Sequence, residues 1–291
     1  MTHWGDLVQQ KTDSFGSLVV GIDPSPDDIP IFFKKKSSNA LDYLNMYVKF
    51  LIDISIGRVG FVKFQSAFFE AYGVLGMQAL ANGIRHAKCG EIGVILDAKR
   101  GDIGSTAAAY ARAYLTPAED GGALEFEVDC MTINPFLGPD TLEPFVECSR
   151  KFGKGLFILT KTSNPGAVWL QDKQIDGVSV SDRIAELIHG WSSETLGHSG
   201  LSAIGAVVGA TFPKDGQRLR ARMPDSVFLA PGIGPQGGTP ADIAALKREQ
   251  GNGVLVPVSR GISKADSPNI SESDYRLLVE GRIDALKKLL S

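Results

Sequence analysis

The chain has 291 residues, of which 43% are hydrophobic and 22% charged, a composition typical of a soluble globular protein. Its formal net charge of -3 argues against a nucleic-acid-binding protein, and no apolar run is long enough to span a bilayer. The first six residues lack the basic and apolar regions of a signal peptide, so we expect a cytoplasmic protein with no nucleic-acid or membrane partner.

Eight short apolar runs predict strands, and they alternate along the chain with stretches of helical periodicity. The predicted strands are residues 17–23, 59–65, 93–97, 128–134, 155–160, 203–209, 226–230 and 253–258. The predicted helices cover 39–56, 103–115, 180–191 and 271–291. This alternation favours parallel βαβ units, and eight of them predict an α/β fold, a single (β/α)8 TIM barrel over residues 1–291.

A doubly wound open sheet is the alternative arrangement of the same elements. The barrel is favoured because it brings the carboxyl ends of all strands to one mouth, and polar residues follow most of the predicted strands. These strand-end residues are Asp23, Lys63, Asp97, Lys99, Asn134, Thr160, Thr211, Pro231 and Arg260. Pro257 fits poorly in the last strand, since proline cannot donate a backbone hydrogen bond, so we expect that strand to be short or irregular.

A charged run, Asp97-Ala98-Lys99-Arg100-Gly101-Asp102, follows the third predicted strand. Alternate residues of a strand point to one face, so Asp97 and Lys99 project together, and Asp102 follows within one turn. With Lys63 of the second predicted strand, these residues predict a charge network rather than a surface ladder of ion pairs. An ionised lysine in such a network stabilises developing negative charge and delivers a proton.

Two loops are candidates for ligand binding. The glycine-rich segment from Pro231 to Gly238 follows the seventh predicted strand and Arg260 follows the eighth, a placement that indicates a phosphate site. Thr162-Ser163-Asn164-Pro165-Gly166 follows the fifth strand and could bind a polar planar ligand, but taken alone its Asn-Pro-Gly sequence favours a simple turn.

The three cysteines and four histidines show neither a disulfide framework nor metal-ligand spacing, so no metal site is predicted. Cys130 lies in an apolar run and is expected to be a buried thiol.

Taken together, these motifs resemble the orotidine 5'-phosphate decarboxylase family, over nearly the whole chain. The resemblance rests on the run Asp97–Ile103, Lys63, the loop 162–166, the segment 231–238 and Ser259-Arg260. The long stretch between the fifth and sixth predicted strands and Thr132-Ile133-Asn134-Pro135 resemble the longer bacterial branch. The resemblance implies decarboxylation of orotidine 5'-monophosphate to uridine 5'-monophosphate and CO2, the last step of de novo UMP biosynthesis, without a cofactor.

The resemblance also implies a role for each matching residue. Lys99 protonates C6, Asp97 lies beside the departing carboxylate, and Lys63 and Asp102 complete the charge network. The substrate-binding residues it implies are Asp23, Thr106, Ser163, Pro231, Gln236, Gly237 and Arg260. It further implies a homodimer with shared active sites, in which Asp102 and Thr106 act on the partner's substrate. Ser259 stands where many relatives have glycine, which leaves the backbone contact to phosphate open at that point.

Three other readings of the same residues remain. A Mg²⁺-dependent sugar-phosphate lyase or decarboxylase of the same barrel superfamily shares the Asp-x-Lys pair, but the Ser163 loop and Gln236 argue against it. A Schiff-base aldolase would need a lysine of lowered pKa at Lys99, whereas flanking aspartates favour the charged form. The third is a phosphate- or nucleotide-binding barrel without activity.

Overall fold

Eight parallel strands close into a barrel in a computed structural model, which describes residues 2–233 and 237–291. In chain order the strands are β1 (Leu18–Ile22), β2 (Phe61–Gln65), β3 (Gly93–Arg100), β4 (Cys130–Ile133), β5 (Gly155–Lys161), β6 (Gln174–Ile175), β7 (Val178–Ser179), β8 (Ser202–Val208), β9 (Ser226–Leu229) and β10 (Val254–Val258). β6 and β7 form a separate antiparallel hairpin, and β10 pairs with β1 to close the barrel. The predicted barrel is confirmed, with all eight predicted strands in it, and the open sheet is wrong.

Helices lie on the outside of the barrel between the strands. They are α1 (Trp4–Phe15), α2 (Ile31–Lys35), α3 (Ala40–Ser55), α4 (Ser66–Glu70), α5 (Gly73–Cys89), α6 (Gly104–Tyr114), α7 (Glu143–Phe152), α8 (Val180–Ser192), α9 (Pro213–Arg222), α10 (Pro240–Ala244), α11 (Arg260–Ser263) and α12 (Glu272–Leu290). Short 3-10 helices cover Ala118–Asp120, Pro139–Thr141 and Pro165–Trp169. In the described residues, no helix is long and apolar enough to cross a membrane.

Side-chain caps explain where the predicted helices begin. Asn39 accepts a hydrogen bond from the backbone N–H of Asp42 at the start of α3, and Ser271 accepts one from Asp274 at the start of α12. Such a cap pairs one of the backbone N–H groups that a helix leaves without a partner in its first turn. The predicted boundaries of these helices therefore differ from the observed ones by one residue at the N-terminal end.

The barrel interior is an apolar core of its own, separate from the larger core between strands and helices. It is closed at the amino-terminal end of the strands by α1, which the sequence analysis did not predict. Trp4 of α1 is 1% exposed and lies edge-on to Phe61 and Phe157, with ring centroids 5.3 and 5.9 Å away. Cys130 is buried in this interior, as predicted. α1 therefore fills the amino-terminal end of the barrel interior.

Pro257 lies within β10 and pairs in register with Val19, so the expectation of a short or irregular strand is wrong on the side that faces β1. The preceding residue, Val256, donates its N–H to Ser17 on the β1 side, so the nitrogen of Pro257 faces β9. The pairing of β9 with β10 ends at Leu255, before Pro257 is reached. The missing N–H of proline therefore falls where the ladder has already ended.

Candidate active site

A cavity of about 460 Å³ opens at the carboxyl end of the barrel strands. Its described lining comes from the ends of seven of the eight barrel strands and the loops that follow them. The polar lining residues are Asp23, Lys63, Gln65, Asp97, Lys99, Thr162, Ser163, Asn164, Ser259 and Arg260. Three residues that the strand-end pattern also placed at the mouth are not among the described lining residues: Asn134, Thr160 and Thr211.

A chain of alternating charges crosses one wall of this cavity. Lys63 Nζ lies 3.0 Å from Asp97 Oδ2, and Lys99 Nζ lies 2.5 Å from Asp97 Oδ1. Lys63 also donates to Gln65 Oε1 at 3.2 Å. The Asp97 and Lys63 side chains are almost fully buried, whereas that of Lys99 is 43% exposed. The more exposed ammonium of the chain, that of Lys99, is thus anchored by a buried carboxylate, as the alternation of the strand predicted.

Both buried members of the chain stay charged. Burial alone would raise the pKa of Asp97, but the charges of Lys63 and Lys99 and their hydrogen bonds outweigh it and hold this pKa well below its usual range. Burial alone would lower the pKa of Lys63, but Asp97, and then Asp23, raise it above the ordinary lysine value. At neutral pH the wall therefore presents one fixed negative charge between two positive ones.

Thr132 of β4 ties the two ends of the Asp97–Lys99 segment together. Its hydroxyl donates to Asp97 Oδ1 at 2.9 Å and accepts the backbone N–H of Lys99, also at 2.9 Å. Lys99 has a φ of +49°, a left-handed conformation that strains a residue with a side chain. The β3–β4 register shifts between Leu96 and Arg100, which makes room for this conformation. Thr132 thus fixes the backbone from which the exposed ammonium projects.

The loop after β5 forms a second part of the cavity wall. Ser163 lies on the cavity, and Thr211 Oγ1 donates to its carbonyl at 3.4 Å. A Cβ at Gly209 would come within 2.8 Å of Ser163 Cα, so only glycine lets the two loops pack this closely. The Thr162–Asn164 strip, whose sequence taken alone favours a simple turn, therefore faces the ligand space.

The third part of the cavity is formed by the loops after β9 and β10. Pro231 and Arg260 line it, and the Arg260 residue is exposed. The Ser259 side chain occupies the space above Gly21, where a Cβ would lie 1.9 Å from Ser259 Oγ. Gly237 is exposed with a φ of +84°, and Gln236 lies outside the described residues.

Two predicted residues lie away from the others. Asp102 Oδ1 accepts the N–H of Ile103 at 2.8 Å, and among the described residues it makes no ion pair. Thr106 is exposed on the first turn of α6. Neither belongs to the described lining of the cavity of the same chain. Asp23, by contrast, lines the cavity, and its buried Oδ1 has no hydrogen-bond partner among the described residues.

Gln65 and Thr132 are the residues of this site to which the sequence analysis gave no role. Gln65 is two residues beyond Lys63 on β2, so the alternation of the strand was a signal for it. Thr132 depends on strand pairing, which a single sequence does not give. In the part of the chain that the structure describes, no group of three or more His, Cys, Asp or Glu side chains is arranged to hold a metal ion.

The chain is similar over most of its length to known proteins of one family. Residues 18–271 match the model of the orotidine 5'-phosphate decarboxylase / HUMPS family. The chain is 43% identical over 249 residues to an orotidine 5'-phosphate decarboxylase of Rhodopirellula baltica, covering 84% of this chain and 82% of the relative. It is 40% identical over 286 residues to that of Caldicellulosiruptor bescii, covering 94% and 93%. The solved structure of Leishmania donovani OMP decarboxylase superposes with a TM-score of 0.74 at 32% identity, covering 99% of both chains.

Proposed function

The chain belongs to the orotidine 5'-phosphate decarboxylase / HUMPS family, and we therefore propose that it converts orotidine 5'-monophosphate to uridine 5'-monophosphate and CO2. This reaction is the last step of de novo UMP biosynthesis and makes the protein a carboxy-lyase. The observation that carries the proposal is the Lys63–Asp97–Lys99 charge chain at the open end of the barrel. We propose that the reaction needs no cofactor and no metal.

In the proposed reaction Lys99 is the proton donor. Loss of CO2 from C6 of the pyrimidine leaves a carbanion that the ring stabilises poorly, and an ammonium already in place lowers the energy of that charge. Lys99 then transfers a proton to C6, which completes the product. Asp97 lies beside the departing carboxylate and orients Lys99 through a hydrogen bond, while Lys63 and Lys99 keep Asp97 ionised.

The other cavity residues hold the substrate. Asp23 and Lys63 contact the ribose hydroxyls, for which the unpartnered Asp23 Oδ1 is a ready acceptor. Ser163 contacts the pyrimidine. Gln236 and Arg260, together with the backbone near Gly237, bind the phosphate, and Pro231 contacts the substrate. A phosphate held far from C6 supplies binding energy that is used in the transition state.

Asp102 and Thr106 complete the site from a second subunit of a homodimer. Their position outside the cavity of their own chain supports this arrangement. The exposed side chains of Ile103 and Phe136, 62% and 74% accessible, follow β3 and β4 and give a partner an apolar surface to cover. We further propose that residues 1–291 form one domain and that the protein acts in the cytoplasm.

The first test is the ultraviolet absorbance of orotidine 5'-monophosphate mixed with the purified protein and excess EDTA. We expect the substrate band to disappear and uridine 5'-monophosphate to form. No turnover by the folded protein would contradict the proposal. Turnover of a sugar phosphate only when Mg²⁺ is added would identify the lyase of the same superfamily instead.

A further inference from the structure

Lys161, the last residue of β5, carries a fully buried charge that the proposed reaction does not use. Its ammonium pairs with Asp172, lies 3.5 Å from Asp215 and is 4.5 Å from the centroid of the Phe212 ring. Asp215 is on α9, whereas Asp172 is in the segment 164–179 between β5 and α8, which we call the β5 insertion. One buried ammonium therefore joins the insertion to the helical layer of the barrel.

A register shift decides which way Lys161 points. Leu159 pairs with Val207, and both line the cavity, but Lys161 pairs with Val208, which belongs to the outer core. β5 thus has one extra residue at Thr160, a bulge that reverses the alternation. Without it Lys161 would point into the cavity, so the bulge removes a third lysine from the active-site wall and directs it to the insertion.

The insertion in turn holds the strip that faces the ligand. Gln171, next to Asp172, accepts the N–H of Thr162 through Oε1 at 2.9 Å and donates through Nε2 to Thr162 Oγ1 at 2.8 Å. The carbonyl of Lys161 accepts the N–H of Gly209 at 2.7 Å. The hydrogen bond between Gly209 and the Lys161 carbonyl therefore holds one side of the Thr162–Asn164 strip. Gln171, next to the Lys161 partner Asp172, holds the other side.

We infer that Lys161 is a positioning residue for recognition of the base: its pairing with Asp172 and Asp215 holds Ser163 against the pyrimidine. This inference rests on the proposed function. A buried charge is expensive to desolvate and is stabilised only where its partners stay in place, so it defines one position of the insertion. The ribose and phosphate are bound by other loops, so loss of Lys161 weakens binding of the base alone.

The test compares two ligands that differ by the base, uridine 5'-monophosphate and ribose 5-phosphate, by titration calorimetry on Lys161→Met and Asp172→Asn. We expect the affinity for uridine 5'-monophosphate to fall about tenfold or more, since small displacements of a contact group have effects of this size. The affinity for ribose 5-phosphate stays within about twofold, and KM for orotidine 5'-monophosphate rises more than kcat falls.

Lys154 offers a matched control. It is a buried lysine directly before the same strand, paired with Glu127 at the closed end of the barrel. We expect Lys154→Met to lower the unfolding temperature but to leave the ratio of the two affinities unchanged. If Lys161→Met does not fold, the nearly isosteric Asp172→Asn decides the question.

An unchanged ratio in folded Asp172→Asn would overturn the inference, as would an equal loss of both ligands. Turnover by the unaltered protein is measured separately. If that protein decarboxylates orotidine 5'-monophosphate but the variants keep the unaltered ratio of the two ligand affinities, only the role of Lys161 is contradicted. An unaltered protein without turnover contradicts the proposed function itself.

Discussion

Asp97 is ionised although it is almost fully buried, because two lysines and a threonine hydroxyl surround its carboxylate. Each oxygen of this carboxylate has a lysine as its partner, whereas a buried carboxylate with no charged partner at all is unfavourable by several kcal/mol. The three charges are therefore stable as a set.

The lowered pKa of Asp97 predicts a specific dependence of stability on pH. A carboxyl whose pKa is lower in the folded than in the unfolded chain stabilises the fold above its unfolded pKa, about 4, and this contribution disappears as the pH falls through the folded pKa. We expect the difference in unfolding free energy between the unaltered protein and Asp97→Asn to be constant from pH 7 to pH 5. It then shrinks below about pH 4. Denaturant titrations at each pH measure it, and a difference that already changes between pH 7 and 5 would contradict the prediction.

Replacement of Lys99 should separate activity from stability. Its side chain is 43% exposed, so Lys99→Ala removes little buried surface, while Asp97 keeps Lys63 and Thr132 as partners. We expect kcat to fall by at least about 10³-fold, since both the proton donor and the stabilising charge are lost. The unfolding temperature should stay close to that of the unaltered protein. Lys36→Ala, at an exposed lysine paired with Glu272, is the control for both measurements.

Thr132→Val tests whether the hydroxyl that bridges Asp97 and Lys99 matters for catalysis. Valine has the same shape but neither donates to Asp97 nor accepts from the Lys99 backbone. We expect kcat to fall about 10- to 100-fold with little change in KM, and stability to fall by about 1–3 kcal/mol.

Thr160→Val is the control for this substitution. Thr160 is equally buried, and its hydroxyl donates only to the carbonyl of Ile158 in the described structure. A kcat that falls as far in Thr160→Val as in Thr132→Val would show that the effect is not specific to the bridge.

At this scale the sequence predicted the charges but not their support. Lys63, Asp97 and Lys99 were predicted together because strand alternation and strand ends are local properties. The Thr132 bridge and the turn of Lys161 away from the cavity both follow from register shifts between neighbouring strands. A register shift depends on pairing in three dimensions, for which a single sequence carries no periodic signal.

At the scale of elements, α1 has a role that its sequence hides. It has few apolar residues, and the side chains of Trp4 and Val8 are buried because they pack into the barrel interior at the amino-terminal end of the strands. A Cβ at Gly155, the first residue of β5, would lie 2.5 Å from the Trp4 ring, so glycine is needed at this position for α1 to pack against the barrel. The barrel strands, by contrast, were predictable from continuous apolar runs, since both faces of each strand are buried.

Trp4→Ala should therefore destabilise the barrel without touching its chemistry. Removing a fully buried tryptophan leaves a cavity at the amino-terminal end of the strands, for which a loss of about 3–5 kcal/mol is expected. The reacting groups lie at the opposite end, so kcat/KM measured well below the unfolding temperature should be unchanged. Trp169→Ala, at a tryptophan that is 76% exposed, should alter stability by less than about 0.5 kcal/mol. Equal losses in both variants, by denaturant unfolding, would contradict the role given to α1.

At the scale of the whole molecule, the two ends of the barrel differ. At the amino-terminal end of the strands, α1 closes the barrel, whereas the cavity opens at the carboxyl end. The exposed apolar side chains of Ile103 and Phe136 follow β3 and β4 at the carboxyl end. Asp102 lies between the charge chain and this surface along the sequence, yet it is not part of the cavity lining described for its own chain. Its distance from the cavity is understandable if the second subunit of a dimer uses it.

Mixed dimers test this arrangement directly. Lys99→Ala and Asp102→Ala should each be inactive alone, because every site of either dimer lacks one group. When the two variants are co-expressed, a mixed dimer with shared sites contains one site with both native residues and one site with neither. Random pairing makes half of the dimers mixed, so about one quarter of the unaltered activity should return. Native mass spectrometry counts the mixed dimers, and if they form without recovery of turnover, Asp102 acts within its own chain or not at all.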